Sequence, residues 1–89
     1  MKFSDQVVEA LRTCHPERRR KIRRALDDLA RGVLQDTQPL EDELAGFFRL
    51  RVGRFRGIYR LSESKEIMVE YLAPRKTVYQ FFKARKPLR

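Results

Sequence analysis

The clearest pattern of hydrophobic and polar positions lies between residues 47 and 61. Phe48, Leu50 and Val52 alternate with Arg49 and Arg51, and this two-residue period is typical of a β-strand with one buried face. A second alternating run follows the glycine at position 53, so the segment predicts two strands joined by a turn. If the apolar residues of both strands face the core, the strand arginines share the opposite, open face. They are Arg49, Arg51, Arg56 and Arg60.

Two helices are predicted before these strands. Ser4 is a suitable N-cap for the first, which is expected to end near His15. Pro16 fits the first position of the second helix, which runs to about Arg31, with Gly32 as a C-terminal cap. The apolar residues recur at helical spacing in both helices. They are Val7, Val8, Leu11 and Cys14 in the first, and Ile22, Ala25, Leu26, Leu29 and Val33 in the second.

The remaining segments complete a mixed fold. Residues 1–3 predict a very short edge strand, residues 35–46 a loop in which Pro39 breaks regular structure, and residues 67–73 a third strong strand that Pro74 ends. The order is therefore a short strand, two helices, three consecutive strands and a tail. This order predicts an α+β fold, an antiparallel sheet with two helices packed on one face.

The length and the terminal composition set the domain organisation. A chain of 89 residues is expected to form one domain, which we place at residues 1–82, followed by a basic C-terminal tail at residues 83–89. No apolar run approaches the roughly 20 residues that span a membrane, and the first residues have no apolar signal segment. We therefore expect a cytoplasmic protein without a membrane partner.

The distribution of charge along the chain is more informative about function than the total charge. Residues 1–45 carry 9 Lys or Arg and 9 Asp or Glu, whereas residues 46–89 carry 12 and 3. The net charge of +9 thus belongs to the strand-rich half, as is typical of a phosphate-binding surface. A solvated basic face and a docking site for an acidic protein are the alternatives.

Basic residues also line the outer face of the second predicted helix. Glu17, Asp27 and Asp28 lie within salt-bridging reach at helical spacing, so a solvated face is favoured over a primary binding site, although the face would widen an RNA-binding footprint. The basic residues are Arg18, Arg19, Arg20, Lys21, Arg23 and Arg24.

No metal-ligand pattern accompanies these cations. His15 is the only histidine and Cys14 the only cysteine, and neither has the spaced partners that a metal site needs. Cys14 is interpreted as a small buried residue. We therefore expect neither a metal nor a cofactor.

Two stretches carry a family resemblance. Both resemble the RelE/ParE superfamily of bacterial type II toxins, and they read LEDELAGFFRLRVGRFRGIYRL and IMVEYLAPRKTVY. Its members typically show an arginine-containing hairpin of the form RLRVGRYRVIYR, a hydrophobic strand and a closing basic segment that ends in Val-Tyr. The resemblance covers residues 3 to about 82. It implies a RelE-like fold, an antitoxin partner and, in the RelE branch, cleavage of mRNA in the ribosomal A site.

The resemblance also implies which residues act. Arg56 and Arg75 match basic positions suited to neutralise the charge that gathers on phosphoryl oxygens when RNA is cut. Tyr79 matches the terminal tyrosine and serves as a general acid or base or stacks on a nucleobase, while Lys76 is a weaker candidate for proton transfer. The expected RNA phosphate ligands are Arg49, Arg51, Arg54 and Arg60.

Two departures from the family pattern keep other functions open. The N-terminal strand is short, and the segment from Ala73 to Thr77 replaces a Gly-His-Arg-Arg-Asp or Glu sequence of many relatives, so a histidine sometimes used as a proton donor is missing. The missing histidine leaves a catalytically inert module that binds an antitoxin as an alternative. The ParE branch of the superfamily implies a second alternative, an inhibitor of DNA gyrase.

The expected partners follow from the same resemblance. They are a cognate acidic antitoxin, ribosome-bound mRNA and, through the antitoxin complex, operator DNA. The antitoxin is expected to cover part of the arginine face or to displace the chain from Arg75 onward.

Overall fold

The computed structural model describes residues 1–33 and 35–85, and it places a five-stranded sheet between helices. The strands follow the order β1-β5-β4-β3-β2; β1 is parallel to β5 and every other pair is antiparallel. The predicted α+β architecture is confirmed. The strands are β1 (Lys2–Phe3), β2 (Thr37–Pro39), β3 (Phe47–Val52), β4 (Phe55–Leu61) and β5 (Ile67–Pro74), and the helices are α1 (Asp5–Thr13), α2 (Pro16–Ala30) and α3 (Val78–Arg85).

The three residues predicted to mark helix ends, Ser4, Pro16 and Gly32, are found in those roles, and α1 ends at Thr13, close to the predicted His15. The side-chain oxygen of Ser4 accepts a hydrogen bond from the backbone N–H of Val7, and Pro16 occupies the first turn of α2. Gly32 has a φ of 78° and donates its N–H to the carbonyl of Leu29. Glycine adopts a positive φ at little energetic cost, so Gly32 can take the left-handed conformation that terminates α2.

α1 and α2 cover one face of the sheet and form the main core with it. The alternation predicted for β3 and β4 is confirmed, because Phe48, Val52 and Phe55 pack against this core. Val8 and Val33 were expected in the apolar stripes of the two helices, but they are 51% and 47% exposed. The buried residues of this core are Val7, Leu11, Ile22, Leu26, Leu50, Tyr59, Val69 and Leu72.

The segment predicted as a loop at residues 35–46 contains regular structure. β2 adds an edge strand to β3, and a 3₁₀ turn follows at Asp42–Leu44. Pro39 is tolerated because an edge strand leaves one side of its ladder unpaired. The prediction was wrong here because the three residues of β2 are all exposed and so carry no apolar alternation.

The face of the sheet opposite α1 and α2 is partly covered by α3. Val78 and Phe82 of this helix form a second buried cluster with Leu44, Ile58 and Ala73. The expectation that the arginine face is uncovered is therefore wrong in part. The physical reason is that Ile58 lies on this face between Arg56 and Arg60 and is fully buried, so the centre of the face is apolar.

Aromatic contacts and an ion pair hold α3 in place. The ring of Phe82 meets Phe47 edge-on with centroids 5.1 Å apart, and it lies 5.9 Å from the ring of Tyr71. Lys83 Nζ lies 2.8 Å from Glu43 Oε1, which ties the helix to the 3₁₀ turn. α3 continues through residues 83–85 of the segment assigned to the tail, and residues 86–89 lie outside the described part of the chain.

Within residues 1–33 and 35–85, no helix is both long enough and apolar enough to cross a bilayer.

Candidate functional site

The hairpin that joins β3 and β4 brings two arginines face to face. Its loop has two residues, Gly53 and Arg54, and Gly53 has a φ of 58°, which fits the type II′ turns that match the twist of paired strands. The register places Arg51 directly opposite Arg56. The side chain of Arg54 projects at the exposed tip. The site is therefore built around a tight turn with cations on both strands.

Arg56 is the most buried charged residue at this site. It is 7% exposed, and its Nη1 donates hydrogen bonds of 2.9 Å to the carbonyls of Gly53 and Phe55. Burial lowers the pKa of Arg56 below its ordinary value, and the nearby charges of Arg49 and Arg51 lower it further. This guanidinium is thus fixed by the main chain in a positively charged environment.

Asp36, at the start of the edge segment, holds the arginines of β3. Its carboxylate lies 2.5 Å from Arg51 Nε and 3.5 Å from Arg49 Nη2. Its carbonyl accepts the N–H of Arg51 at 2.9 Å, and Gln38 Oε1 accepts a second bond from Arg49 Nη2 at 2.9 Å. Asp36 and Gln38 were not predicted as site residues, because a polar edge segment shows no periodic signal and its neighbour in the sheet depends on the register.

The closing segment reaches the same end of the sheet. The N–H of Arg75 donates to the carbonyl of Arg54 at 2.8 Å, and Thr77 closes the turn by donating to the carbonyl of Pro74. Arg75 and Lys76 are exposed and line one groove with Arg54. The structure therefore places the predicted Arg54, Arg75 and Lys76 together at the hairpin tip.

Tyr79 lies on the first turn of α3 and packs against the second buried cluster while remaining half-buried. An ionised Tyr79 side chain would raise the pKa of Arg56, whereas the charge of Arg75 lowers it. Tyr79 and Arg75 therefore lie within electrostatic range of Arg56. We use the name arginine cluster for Arg49, Arg51, Arg56 and Arg75.

Arg60 does not join the arginine cluster. It lies four residues beyond Arg56 on β4, a separation of about 13 Å along a strand. Its Nε lies 2.8 Å from Glu70 Oε2 on the neighbouring strand β5. Of the predicted site residues, Arg60 is thus the one that the structure places apart.

The sole histidine lies on the other side of the hairpin tip. His15 lines a groove with Gly53 and Arg54, and its Nδ1 accepts the N–H of Glu17 at 3.2 Å. It therefore caps α2. Among the described residues, no group of three or more potential metal ligands comes together.

Part of the basic run on α2 makes contacts within the fold. Arg19 donates hydrogen bonds of 2.7–3.2 Å to the carbonyls of Leu11, Arg12 and Cys14. It thereby provides partners for main-chain carbonyls at the C-terminal end of α1. The guanidinium of Arg18 lies 5.0 Å from the ring centre of Phe55, within the range of a cation–π contact. These contacts give the two arginines a structural role, in addition to the solvent-exposed face that was predicted.

The arginine cluster can bind an anion with phosphate geometry. Guanidinium groups present paired donors that match phosphate oxygens, and Arg56 is oriented before any ligand arrives. The Tyr79 hydroxyl, the Lys76 ammonium group and the Asp36 carboxylate, which can each exchange a proton, lie at the same end of the sheet. The arrangement therefore suits stabilisation of a phosphoryl group with proton transfer from outside the arginines.

No protein-family model and no curated protein matches this chain. Several solved structures match this chain. The toxin–antitoxin complex RelBE2 of Mycobacterium tuberculosis matches at 28% identity with a TM-score of 0.71, over 83% of this chain and 94% of the matched chain. The archaeal RelE–RelB complex of Pyrococcus horikoshii matches at 29% identity with a TM-score of 0.67, over 83% and 91%.

A third match extends the similarity over more of the fold. The RelB–RelE antitoxin–toxin complex of Methanococcus jannaschii matches at 17% identity with a TM-score of 0.74, over 92% of this chain and 99% of that one. At that identity the match concerns the fold alone. Together with the hairpin and closing-segment motifs, the matches at 28% and 29% identity support the conclusion that this chain is a RelE/ParE-like toxin-superfamily protein with a RelE-like fold.

Proposed function

We propose that this protein is the toxin of a type II toxin–antitoxin system and that it acts as a metal-independent, ribosome-dependent mRNA endoribonuclease that inhibits translation. The toxin assignment is supported by the RelE–RelB complexes among the matched structures. The observation that carries the nuclease assignment is the buried Arg56, held by two main-chain carbonyls among Arg49, Arg51 and Arg75.

The reaction that suits this site needs no metal. The 2′-hydroxyl of one nucleotide attacks the adjacent phosphorus, a P–O bond forms, and the bond from phosphorus to the 5′-oxygen breaks. The products are a 2′,3′-cyclic phosphate and a 5′-hydroxyl. Negative charge gathers on the phosphoryl oxygens in the transition state, and we assign its stabilisation to Arg56 and Arg75.

Two proton transfers accompany the displacement. A general base takes the proton of the 2′-hydroxyl and a general acid protonates the leaving 5′-oxygen, each contributing about 10²- to 10⁴-fold. Arginine is a poor proton-transfer group because its pKa in proteins lies above roughly 12. Tyr79 and Lys76 are therefore the candidates, and Tyr79 can instead stack on a nucleobase.

RNA contacts beyond the reacting phosphate are assigned to the remaining cations. Arg49, Arg51 and Arg54 lie at the same end of the sheet as Arg56. Arg60 would reach the RNA only at the far end, where it is paired with Glu70.

The proposed partner proteins and nucleic acids follow the function. A cognate antitoxin is expected to be acidic, since its surface must meet a chain of net charge +9. It would cover part of the arginine cluster or displace the chain from Arg75 onward, and the complex would bind operator DNA. A co-crystal structure that leaves both regions fully exposed would contradict this arrangement.

Two other functions compete with cleavage. A ParE-like inhibitor of DNA gyrase has no need of a phosphate-binding cluster. An inert module that binds only an antitoxin is favoured by the absence of a histidine in the segment before Val78. Both predict that loss of the arginines leaves cellular RNA unchanged.

The deciding experiment combines growth with mapping of mRNA 5′-ends in cells that express the protein from an inducible promoter. Wild type is compared with Arg56→Ala, Arg75→Ala and the double variant. Arg20→Ala/Arg24→Ala removes two exposed charges from α2 and serves as the charge-matched control. Because Arg75 is exposed, its single variant separates loss of chemistry from loss of the fold.

Codon-phased cuts in wild type and in the control, but not in the arginine variants, would support the nuclease. Each single variant should reduce toxicity at least about tenfold if electrostatic stabilisation is lost, while antitoxin binding persists. Growth arrest without cuts would favour gyrase inhibition. No arrest would favour the inert module.

A further inference from the structure

The carboxylate of Asp36 lies beside the arginine cluster, and the two cluster arginines of β3 are bound to it. Its Oδ2 lies 2.5 Å from Arg51 Nε and its Oδ1 lies 3.5 Å from Arg49 Nη2. These are two of the groups whose charge acts on Arg56. An anion already occupies part of the hydrogen-bonding capacity that a phosphate would use.

The main chain of Asp36 is also bound to β3. The carbonyl of Asp36 accepts the N–H of Arg51 at 2.9 Å, directly before β2. Gln38, two residues further along the same edge, binds Arg49 at 2.9 Å. The edge segment therefore orients both guanidinium groups from one side.

We propose that Asp36 is a positioning residue of the phosphate site: it holds Arg49 and Arg51 in a fixed orientation and lowers the affinity of the arginine cluster for RNA phosphates. This inference rests on the proposed function and deepens it. It assigns a role to a carboxylate that does not itself touch the reacting phosphate.

The physical argument is a balance between attraction and order. Removing one negative charge beside several guanidinium groups strengthens the attraction for a phosphate. It also releases two long side chains, whose orientation then costs rotamer entropy. Binding energy that is the same in the ground and transition states does not raise kcat, whereas lost orientation reduces it.

The chain offers a matched control. Glu70 forms the same kind of ion pair with a strand arginine, Arg60, at 2.8 Å, at the end of the sheet away from the cluster. Asp36→Asn and Glu70→Gln both remove one carboxylate charge with little change in size. A difference between them therefore reports position and not net charge.

The first measurement is binding of a short RNA oligonucleotide by the purified full-length chain, with 2′-deoxy substitution to prevent cleavage, over a series of salt concentrations. We expect Asp36→Asn to tighten binding about threefold to tenfold, the scale of one charge at a partly exposed site. Its plot of log affinity against log salt concentration should steepen by about 0.7, the increment for one more single-strand phosphate contact. Glu70→Gln should change both quantities less, because Arg60 lies about 13 Å from Arg56 along the strand.

The second measurement is the cleavage of ribosome-bound mRNA by the same variants. Asp36→Asn should lower KM and kcat together, whereas Asp36→Glu should recover part of kcat because it restores the carboxylate. A merely structural role of Asp36 would predict weaker binding and no fall in KM.

Equal changes in Asp36→Asn and Glu70→Gln would overturn the inference, as would unchanged or weaker RNA binding by Asp36→Asn. An unchanged kcat in that variant would overturn the positioning role. If wild type binds RNA but does not cleave it, the proposed function fails. The binding series then still decides whether Asp36 restrains the affinity of the cluster.

Discussion

Arg51 on β3 and Arg56 on β4 are direct partners across the antiparallel ladder. Like charges at such positions repel and destabilise the sheet. Arg51 is paired with Asp36, whereas the Arg56 guanidinium donates hydrogen bonds to the main-chain carbonyls of Gly53 and Phe55. Two cations are therefore held together at one end of the sheet, and a bound anion would reduce the repulsion between them.

The first prediction concerns stabilisation by anions. Millimolar inorganic sulfate should raise the unfolding temperature, because it binds the folded arginine cluster and not the unfolded chain. At ten times its Kd the gain is about 1.4 kcal/mol, which corresponds to roughly 5–10 °C in a domain of this size. Differential scanning calorimetry at constant ionic strength, set with sodium chloride, measures the shift.

The test variant for this measurement is Arg56→Ala/Arg75→Ala, which removes two guanidinium groups of the arginine cluster. Its matched control is Arg20→Ala/Arg24→Ala, which removes the same charge from α2. The first should lose the shift and the second should keep it. An equal shift in both would show that sulfate acts on the whole surface.

The second prediction contrasts two glycines of the hairpin. Gly53→Ala should destabilise the protein by about 1–2 kcal/mol, because its φ of 58° is costly for a residue with a Cβ. Gly57→Ala should be neutral or stabilising by up to about 1 kcal/mol, since an added Cβ would meet Leu50 and Leu72 at an ordinary contact distance of 3.9 Å.

Urea unfolding midpoints at unchanged m-value measure both effects. A loss of stability in Gly57→Ala larger than that in Gly53→Ala would contradict the described geometry of the hairpin.

The third prediction concerns the anchoring of α3. Phe82→Ala should cost about 3 kcal/mol or more, the usual range for a buried phenylalanine, because its ring packs on Phe47 and Tyr71. The same variant should reduce any cleavage activity, since Tyr79 lies on the helix that loses its anchor.

Chemical denaturation gives the change in the free energy of unfolding. Val8→Ala is the control, because Val8 is largely exposed and its truncation should cost under about 0.5 kcal/mol. Similar values for the two variants would place Phe82 outside the core.

The fourth prediction is a pH dependence that comes from Tyr59. Burial raises the pKa of Tyr59 above its ordinary value, and a side-chain hydrogen bond with Thr37 opposes this in part. The folded state therefore favours the neutral phenol. Its contribution to stability is fully present below about pH 10, the usual pKa of the unfolded chain, and is lost as the pH rises through the folded pKa.

Tyr59→Phe removes this titration. The free energy of unfolding of wild type should fall more steeply than that of Tyr59→Phe above about pH 10, and the two should run parallel between pH 7 and pH 9. Denaturant titrations at each pH measure the difference. Parallel curves over the whole range would contradict the burial of the phenol.

Local sequence patterns determine the main elements of the fold and most residues of the arginine cluster. The alternation in residues 47–61 determines which face of each strand is buried, so it also determines that Arg49, Arg51 and Arg56 share a face. Ser4, Pro16 and Gly32 mark helix ends through hydrogen bonds and φ values that depend on near neighbours only. The resemblance added Arg75 and Tyr79, which no periodicity could have joined to the hairpin.

Only the tertiary structure determines which residues contact the sheet face that carries the arginines. The register between β2 and β3 sets Asp36 against Arg49 and Arg51, and a three-residue polar edge strand carries no periodic signal for that pairing. Packing of Phe82 on Phe47 and Tyr71 folds α3 over the centre of the face and leaves the arginines at one end. Contacts such as these join residues distant in sequence, and their energies depend on the sheet register and the shape of the core, which the chain acquires only when all its elements pack together.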